Sequence, residues 1–328
     1  MIVKRARKAR VNGLIDFTSG WLVANIGHDT RRVMRAVRKA RGWAVLDRWE
    51  NPARVAAEAA LRSTLPPHLD HINFYSSGSE AMDAAIRCAG GPVVAHPRAF
   101  HGSTIGAQSI PRMGFMLPQG IGIGTCGASI FTSDSCNVVE TFHGPWCEWH
   151  DESTIALLRK HQAQGTVLIF DEMQSGFGRT GRWWGFDHYD VEPDIVVGGK
   201  AIAGGFPLAF VAARHEIIDG KPMWESTFSG NALSCAALVE TVKEIRRRQL
   251  LQRVLRLEPM IREAFPTAQG KGFAYAFDHP DADAVADRAL ERGLMLLHTG
   301  RGTVKICPPL VISERDLALG LGILKGSV

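Results

Sequence analysis

The sequence predicts an α/β fold, with a mostly parallel central sheet covered by helices on both faces and a smaller α+β domain. Three observations support this prediction. Short apolar segments alternate with amphipathic segments of helical period. Two of the apolar segments, TVLIFDE and DIVVGGK, are continuous enough to be strands buried on both faces. The chain has 328 residues, which exceeds the size at which a single core stops growing.

The individual elements follow from hydrophobic period and capping residues. Helices are expected over 30–40, with an apolar stripe of Val33, Met34 and Val37, and over 51–65, with Pro52 in the first turn. A strand, a Ser/Gly turn and a helix follow one another in HINFYSSGSEAMDAAIRCA. The long helical stretch after Asn231 is expected to break near Gln249 or Pro259. The other predicted strands are VVAHP, FAYAF and VKICPPL, and the other predicted helices are STIALLRKHQA, DADAVADRALERG and SERDLALGLGIL.

The composition argues against several classes of protein. Hydrophobic residues make up 45% and charged residues 22% of the chain, as in ordinary globular proteins and unlike disordered chains or coiled coils. The six cysteines show neither a CxxC pair nor metal-ligand spacing, so we expect no disulfide framework and no metal site. No apolar run reaches the length of about 18 residues that a membrane span needs, and no signal peptide is expected. These features predict a cytoplasmic protein without a membrane partner.

The formal net charge is +5, and much of the excess lies near the N-terminus. One interpretation is a solvated helix face, because Arg31, Arg35 and Arg38 recur at helical spacing. The other is a surface for a polyanionic partner such as a nucleic acid, since clustered Arg and Lys attract phosphates. The sequence leaves both interpretations open.

Two of the predicted strands end in residues suited to cofactor chemistry. Asp171 ends one strand, and Lys200 follows the next strand among glycines. A lysine in that position is well placed to be desolvated and nucleophilic, and ligands gather at such strand ends. Pyridoxal 5′-phosphate (PLP) needs a lysine amine for a Schiff base and an acid beside its pyridine nitrogen. Ser77, Gly78 and Ser79 lie at a predicted helix N-terminus, where free N–H groups favour a phosphate.

Seven segments occur in an order that resembles the class III aminotransferases, a branch of the fold-type I PLP enzymes. The segments are LIDFTSGWLVANIGH, SSGSEAMDAAIRCA, FHG, DEMQSGFGRTG, EPDIVVGGK, TFSGN and CPPLVIS. The resemblance covers most of the chain and implies a seven-stranded type of central sheet. It also implies a large PLP-binding domain over 46–235, and a small domain made of 1–45 together with 236–328.

The resemblance implies roles for individual residues. Lys200 would form the Schiff base and shuttle the proton, and Asp171 would lie on the pyridine nitrogen. The remaining residues expected at the cofactor are Ser77, Gly78, Ser79, Phe100, His101, Glu140, Met173 and Gln174. Thr227 would reach the phosphate of a neighbouring subunit's cofactor, which implies a homodimer with shared active sites. Trp21 and Lys305 are expected in the substrate pocket.

The chain departs from the family pattern at three positions. Ser103 follows the His-Gly pair where many members carry Arg, Lys305 replaces the Arg before the PPL motif, and Pro145 stands where a switching glutamate is usual. An ammonium cannot reproduce a bidentate guanidinium–carboxylate pair, so an unusual amine or a bulky amino-bearing substrate is expected.

The function predicted from these features is amino-group transfer between an amine or amino acid and a keto or aldehyde acceptor. The same cofactor also supports decarboxylase, lyase and aminomutase reactions, here possible on an amino acid attached to a nucleic acid. A third alternative is a protein that keeps the PLP fold without turnover.

Overall fold

The computed structural model describes residues 6–28, 30–40, 51–96, 98–110, 136–218 and 226–328. Its central sheet has six strands in the described part of the chain, in the order β4-β11-β10-β9-β6-β5. β11 is antiparallel to both of its neighbours and the other pairs are parallel, which confirms the predicted mostly parallel sheet. The strands are β4 (His71–Tyr75), β5 (Val93–Ala95), β6 (Cys136–Glu140), β9 (Val167–Asp171), β10 (Ile195–Gly198) and β11 (Ala209–Ala213).

Helices cover this sheet and begin at capping residues that the sequence supplies. The helix over Gly78–Ala89 has a complete capping box, in which the Ser77 side chain and the Glu80 side chain each bond the other residue's backbone N–H. The next long helix begins after Asp151, whose carboxylate accepts the Thr154 N–H at 2.8 Å. The helices are α1 (Ser19–Leu22), α2 (Arg31–Lys39), α3 (Pro52–Arg62), α4 (Gly78–Ala89), α5 (Ile105–Ser109), α6 (Glu152–Ala163), α7 (His215–Ile218), α8 (Ala232–Arg247), α9 (Leu250–Ala264), α10 (Ala282–Glu291) and α11 (Glu314–Lys325).

The long helical stretch breaks at Gln249, one of the two predicted positions. Gln249 has a left-handed backbone with φ of 49°, which ends α8 and redirects the chain into α9. Pro259, the other predicted position, lies inside α9.

Three smaller sheets complete the described structure. One has the order β1-β2-β3-β14, another β12-β13-β15, and the third is the pair β7-β8. β14 is parallel to β3, so a strand close to the N-terminus pairs with one from the last part of the chain. The division into 46–235 and 1–45 with 236–328 remains a prediction, and α8 runs across residue 235. The strands are β1 (Ala6–Arg7), β2 (Arg10–Val11), β3 (Leu14–Asp16), β7 (Phe142–His143), β8 (Glu148–Trp149), β12 (Gln269–Lys271), β13 (Ala274–Asp278), β14 (Leu294–Met295) and β15 (Thr303–Ile306).

The described residues lack two kinds of feature. None of their helices combines the length and the apolar character needed to cross a membrane. No group of three or more His, Cys, Asp or Glu side chains among them has an arrangement suited to a metal ion.

The last helix packs closely on the start of the chain through Gly320. A Cβ atom at Gly320 would lie 2.5 Å from the ring of Phe17, which is fully buried and directly follows Asp16. Gly322 lies in the same helix, is exposed, and has open space around the position of a Cβ atom. The two glycines therefore form a matched pair for testing this contact.

We predict that Gly320→Ala lowers the free energy of unfolding by about 1–3 kcal/mol, because a buried ring must shift to admit the methyl group. Gly322→Ala should raise the free energy of unfolding by roughly 0.5–1 kcal/mol, because alanine restricts the unfolded chain without meeting a neighbour. Urea unfolding followed by far-ultraviolet circular dichroism measures both. Equal effects of the two substitutions would contradict the described packing.

Candidate active site

The carboxyl ends of three neighbouring strands bring together the residues that the sequence singled out. In the parallel register, Glu140 of β6 lies opposite Asp171 of β9, and Asp171 lies opposite Val197 of β10. β10 ends at Gly198, and Lys200 begins a 3-10 helix immediately after it. Glu140, Asp171 and Lys200 therefore meet at one edge of the sheet.

Asp171 is held by hydrogen bonds on both of its carboxylate oxygens. Its Oδ2 lies 2.7 Å from His101 Nδ1, and its Oδ1 accepts the Met173 N–H at 3.0 Å. A carboxylate oxygen accepts, so Nδ1 of His101 is the ring nitrogen that carries the proton. Both side chains are almost completely buried, and no described residue bonds His101 Nε2. The sequence placed His101 near Phe100 and gave no sign of this pairing.

Glu140 is a second buried carboxyl group at this edge. Its carboxylate accepts the Phe100 N–H at 3.3 Å and lies 3.5 Å from Gln174 Nε2. Burial raises the pKa of Glu140 to about 7, and the nearby Asp171 contributes in the same direction while His101 opposes it. The site therefore contains a carboxyl group that changes its charge close to neutral pH.

Lys200 has a strained backbone conformation, and the pKa of its amine is lowered. Its φ is 41°, in the left-handed region that residues other than glycine seldom adopt. Burial lowers the pKa of Lys200 from its ordinary value, while the charges of Asp171 and Glu140 act in the opposite direction. A lowered pKa increases the fraction of neutral amine, which is the nucleophilic form.

The N-terminus of α4 lies beside this cluster. The backbone N–H groups of Gly78 and Ser79 have no acceptor among the described residues. The oxygen of the Ser77 side chain caps the helix, so its O–H remains available for donation. A Cβ atom at Gly78 would lie 2.7 Å from Met173 Sδ, so a glycine is needed for this approach. Ser79 Oγ accepts the N–H of Ser103, one of the positions that departs from the family pattern.

A cavity of about 260 Å³ opens in front of Lys200. Phe100, Gln174, Lys305 and Trp21 are among the predicted residues that line it. Lys305 is only 2% exposed, and its ammonium donates to Gln174 Oε1 at 2.8 Å and to the Gly144 carbonyl. Among the described residues Lys305 forms no ion pair with a carboxylate; besides these two neutral oxygens, its ammonium lies 5.8 Å from the centre of the Phe142 ring. Sequence reasoning found Lys305 and Gln174 separately and missed the bond between them.

Trp21 is placed at the cavity by α1 (Ser19–Leu22), whose backbone forms a left-handed turn and not a right-handed helix. All of Ser19, Gly20, Trp21 and Leu22 have positive φ, from 48° to 63°. Each non-glycine residue in this conformation costs roughly 1–2 kcal/mol, so the turn persists only because neighbours hold it. Asp16 Oδ1 accepts the N–H of Thr18 at 2.6 Å and the N–H of Ser19 at 3.1 Å, and Ser19 Oγ donates to the Cys307 carbonyl at 2.6 Å. Trp21 itself is 60% exposed.

The structure does not bring every predicted residue to the cavity. Thr227 is exposed and is not among the residues that line it. Two cations that sequence reasoning missed, Arg98 and Arg301, do line it. Arg98 is separated from the FHG motif by Ala99 alone, and Arg301 lies between two glycines in the loop TGRG. A position beside a family motif and a position in a glycine-rich loop were the sequence signals that could have identified these two residues.

The family model described as "Aminotransferase class-III" matches residues 5–115 and 149–328. A protein of Pyrobaculum aerophilum, whose name is putative LysW-aminoadipate semialdehyde/glutamate semialdehyde transaminase, is 32% identical over 92% of this chain and 88% of its own length. An acetylornithine aminotransferase of Methanosarcina acetivorans is 30% identical over 95% of this chain and 86% of its own length.

Solved structures show the same fold. Ornithine aminotransferase from Toxoplasma gondii has a TM-score of 0.86 at 23% identity, covering 99% of this chain and 90% of that chain. Acetylornithine aminotransferase from Elizabethkingia anophelis has a TM-score of 0.82 at 23% identity, covering 100% and 93%. These neighbours confirm the fold-type I architecture. With the matched family model and the relatives, they show that this chain belongs to the class III aminotransferases, which are PLP-dependent transaminases.

Proposed function

We propose that Lys200, Asp171 and the N-terminus of α4 hold PLP, and that the substrate is an amino acid or amine carrying a carboxylate. The observation that carries this proposal is the meeting of a desolvated amine, a buried carboxylate and free helix N–H groups at one sheet edge. The amine suits the aldehyde of PLP, the carboxylate suits its pyridine nitrogen, and the helix N–H groups suit its phosphate.

The residues present fit the cofactor chemically. PLP, when bound, supplies an aldehyde that reacts with amines and a ring that accepts electrons. Asp171 uses one lone pair of each oxygen for its contacts with His101 and Met173, so acceptor capacity remains for a protonated ring nitrogen. Gly78 and Ser79 would hold the phosphate through backbone N–H groups and the helix dipole. Met173 and Phe100 would contact the ring, with Gln174 and Glu140 near its polar edge.

We assign proton transfer during amino-group exchange to Lys200. Its lowered pKa keeps part of the amine neutral, and a neutral amine can accept a proton from a substrate carbon and return it elsewhere. His101 holds Asp171 in place through Nδ1, so Asp171 can keep a ring nitrogen protonated. Glu140 is close enough to Asp171 that the charges of the two carboxyl groups are coupled.

The carboxylate of the substrate is assigned to Lys305, whose ammonium would bind it as a point charge and not through the bidentate pair that an arginine makes. This ammonium is buried with two neutral oxygens as its contacts, and Arg98 and Arg301 add positive charge to the cavity walls. A buried cation without an anionic partner favours an anionic ligand. The names of the relatives, acetylornithine aminotransferase and aminoadipate semialdehyde/glutamate semialdehyde transaminase, point to substrates derived from amino acids.

A PLP-dependent lyase is the second candidate function. A phospholyase from Arthrobacter, solved with phosphoethanolamine, shares the fold with a TM-score of 0.87 at 22% identity. Pro145, at the position of the switching glutamate, favours this alternative, because the usual exchange between two substrates depends on the glutamate that is missing here. Spectra separate the two functions, since an amino donor alone converts a transaminase to its pyridoxamine form and leaves a lyase unchanged.

We also propose a homodimer in the cytoplasm with shared active sites. The loop that contains Thr227 is exposed, and its neighbour Phe228 is 67% exposed. Phe228 and Leu233 are exposed apolar side chains close to Thr227 in the chain, and a second subunit on this region would bury them. The described cysteines are free thiols, which suits a reducing compartment.

We predict that Lys200→Ala abolishes transamination while the variant keeps its circular dichroism spectrum and its unfolding midpoint. In the native enzyme, borohydride should fix the pyridoxyl group covalently to the peptide that contains Lys200, as read by mass spectrometry. Lys243→Ala, at a lysine outside the site, is the control. Label on another lysine, or full activity in Lys200→Ala, would refute the assignment.

Lys305→Met should raise KM for carboxylate-bearing donors by about 10- to 100-fold, the cost of losing one charge-assisted hydrogen bond. A primary amine without a carboxylate serves as the control donor, and its kcat/KM should change little. Lys305→Arg, which keeps the charge, should retain most of the affinity. A similar loss for both kinds of donor would mean that Lys305 acts only on the structure of the site.

Thr227→Ala should weaken the retention of PLP by about tenfold, because one hydrogen bond to the phosphate is lost. Dialysis followed by cofactor absorbance measures this retention, and light scattering measures the oligomeric state. Ser226→Ala, at the preceding residue, is the control. Unchanged retention in a protein that is dimeric, or a native protein that is active as a monomer, would contradict the shared site.

A further inference from the structure

Glu140 and Lys305 are both buried at the active site, and two neutral groups connect them. The first is the side chain of Gln174, whose Oε1 accepts from the Lys305 ammonium at 2.8 Å and whose Nε2 lies 3.5 Å from the Glu140 carboxylate. The second is the backbone of Gly144, whose carbonyl accepts from Lys305 and whose N–H donates to Glu140. Both acceptors of the Lys305 cation are therefore held by the same carboxylate.

The packing around Gly144 keeps this arrangement in place. A Cβ atom at Gly144 would lie 2.0 Å from Gln174 Nε2 and 3.1 Å from Glu140 Oε1. A glycine at this position thus lets the amide of Gln174 lie between the two charged groups. An ammonium needs an acceptor oxygen and a carboxylate needs an N–H group, so ionised Lys305 and ionised Glu140 favour the same orientation of that amide.

Three further titratable groups of the active site act on Glu140. Burial raises the pKa of Glu140 to about 7, while His101 lowers it and Asp171 of β9 raises it. Lys200, which follows β10, interacts with the same carboxylate. Glu140 can therefore take up a proton near neutral pH when a further negative charge enters the site.

Glu140 also lines a second cavity, between β5, β6 and α6, whose charged groups are already paired or neutral. Arg98 and Glu148 form an ion pair with each other, and Asp151 caps α6 through the Thr154 N–H. Burial lowers the pKa of the histidines in this wall, which are therefore neutral near pH 7; they are His96, His143, His150 and His161. His150 Nε2 lies 2.7 Å from the backbone carbonyl oxygen of Glu140, away from its carboxylate.

We propose that Glu140 positions Lys305 for the carboxylate of the substrate and takes up a proton when that carboxylate binds. The step rests on the proposed function, in which the substrate carboxylate binds to Lys305. Before binding, the charge of Glu140 acts on Lys305 through the polarised amides of Gln174 and Gly144. A carboxylate on Lys305 adds a second negative charge to the same buried region, and like charges favour the protonation of one of them. A proton from the solvent then neutralises Glu140, and Lys305 stays paired with the substrate.

This coupling has a defined dependence on pH. Because a bound carboxylate raises the pKa of Glu140, protonation of Glu140 strengthens the binding of the carboxylate by the same factor. Binding is therefore tightest below the pKa of Glu140 in the free site, and it weakens as the pH rises through about 7. Coulomb's law with the effective dielectric constant of protein sites gives a change in affinity of about tenfold for charges placed in this way.

The test measures proton uptake by the holoenzyme with an unreactive ligand. Valerate has no amine, and its carboxylate stays ionised between about pH 6 and pH 8.5; valeramide is its neutral control. Calorimetric titrations in buffers with different ionisation enthalpies give the number of protons taken up for each ligand bound. We expect valerate to take up a fraction of a proton near pH 7 and to bind about tenfold more weakly at pH 8.5 than at pH 6. Valeramide should show neither effect.

Substitutions identify the group that takes up the proton. Glu140→Gln should abolish both the proton uptake and the dependence of affinity on pH. Gln174→Met removes one donor to Glu140, so the pH of maximum uptake should rise; this variant serves if Glu140→Gln fails to fold. Glu152→Gln, at an exposed carboxyl group of α6, is the control and should behave as the native protein.

Lys305→Met separates the role of Glu140 from the role of Lys305. If valerate does not bind, or if its binding survives Lys305→Met, both the carboxylate site and the role of Glu140 are overturned. If valerate binds through Lys305 without proton uptake, or if Glu140→Gln retains the uptake, the role of Glu140 alone is overturned. An unchanged pH of maximum uptake in Gln174→Met also overturns it.

Discussion

The parallel register of β6, β9 and β10 is the constraint on which the active site depends. It fixes Glu140 opposite Asp171 and Asp171 opposite Val197, so the chain segments after these residues start from one edge. Lys200 and Gln174 enter the same small volume as a result. A shift of one strand by a single residue would turn Asp171 to the other face of the sheet and separate it from His101.

This register brings several charged side chains into a buried region, where nearby groups of opposite charge or hydrogen-bond partners stabilise them. Lys200 lies near two carboxyl groups, and these oppose the desolvation that lowers its pKa. The carboxylate of Asp171 accepts a hydrogen bond from the ring of His101. Lys305 is different, because its described partners are a carbonyl and an amide oxygen. If the proposed assignment holds, Lys305 lies on the substrate side of the site, where an anionic group of the substrate would pair with it.

The sequence alone predicted the elements that are determined by residues close together in the chain. Strands β9 and β10 and the cap of α4 depend on apolar runs and on Ser77 and Glu80, which lie close together in the chain. The bond between His101 and Asp171 joins residues 70 positions apart, and that between Lys305 and Gln174 joins residues 131 positions apart. The first pair joins the segment after β5 to the end of β9, and the second joins β15 to the segment after β9, so both depend on tertiary packing that hydrophobic period does not encode.

The left-handed turn at Ser19–Leu22 is another feature that the local sequence does not predict. Its tertiary contacts explain why it forms despite its strain. Only Gly20 in that run favours positive φ, so local preference argues against the turn. It forms because Asp16, fixed by β3 and by the neighbouring Phe17 in the core, accepts the N–H groups of Thr18 and Ser19. The same core contact reaches α11 through Gly320. Packing in the core thus holds Trp21 at the wall of the cavity, and the hydrogen bonds to Asp16 offset the strain of the turn.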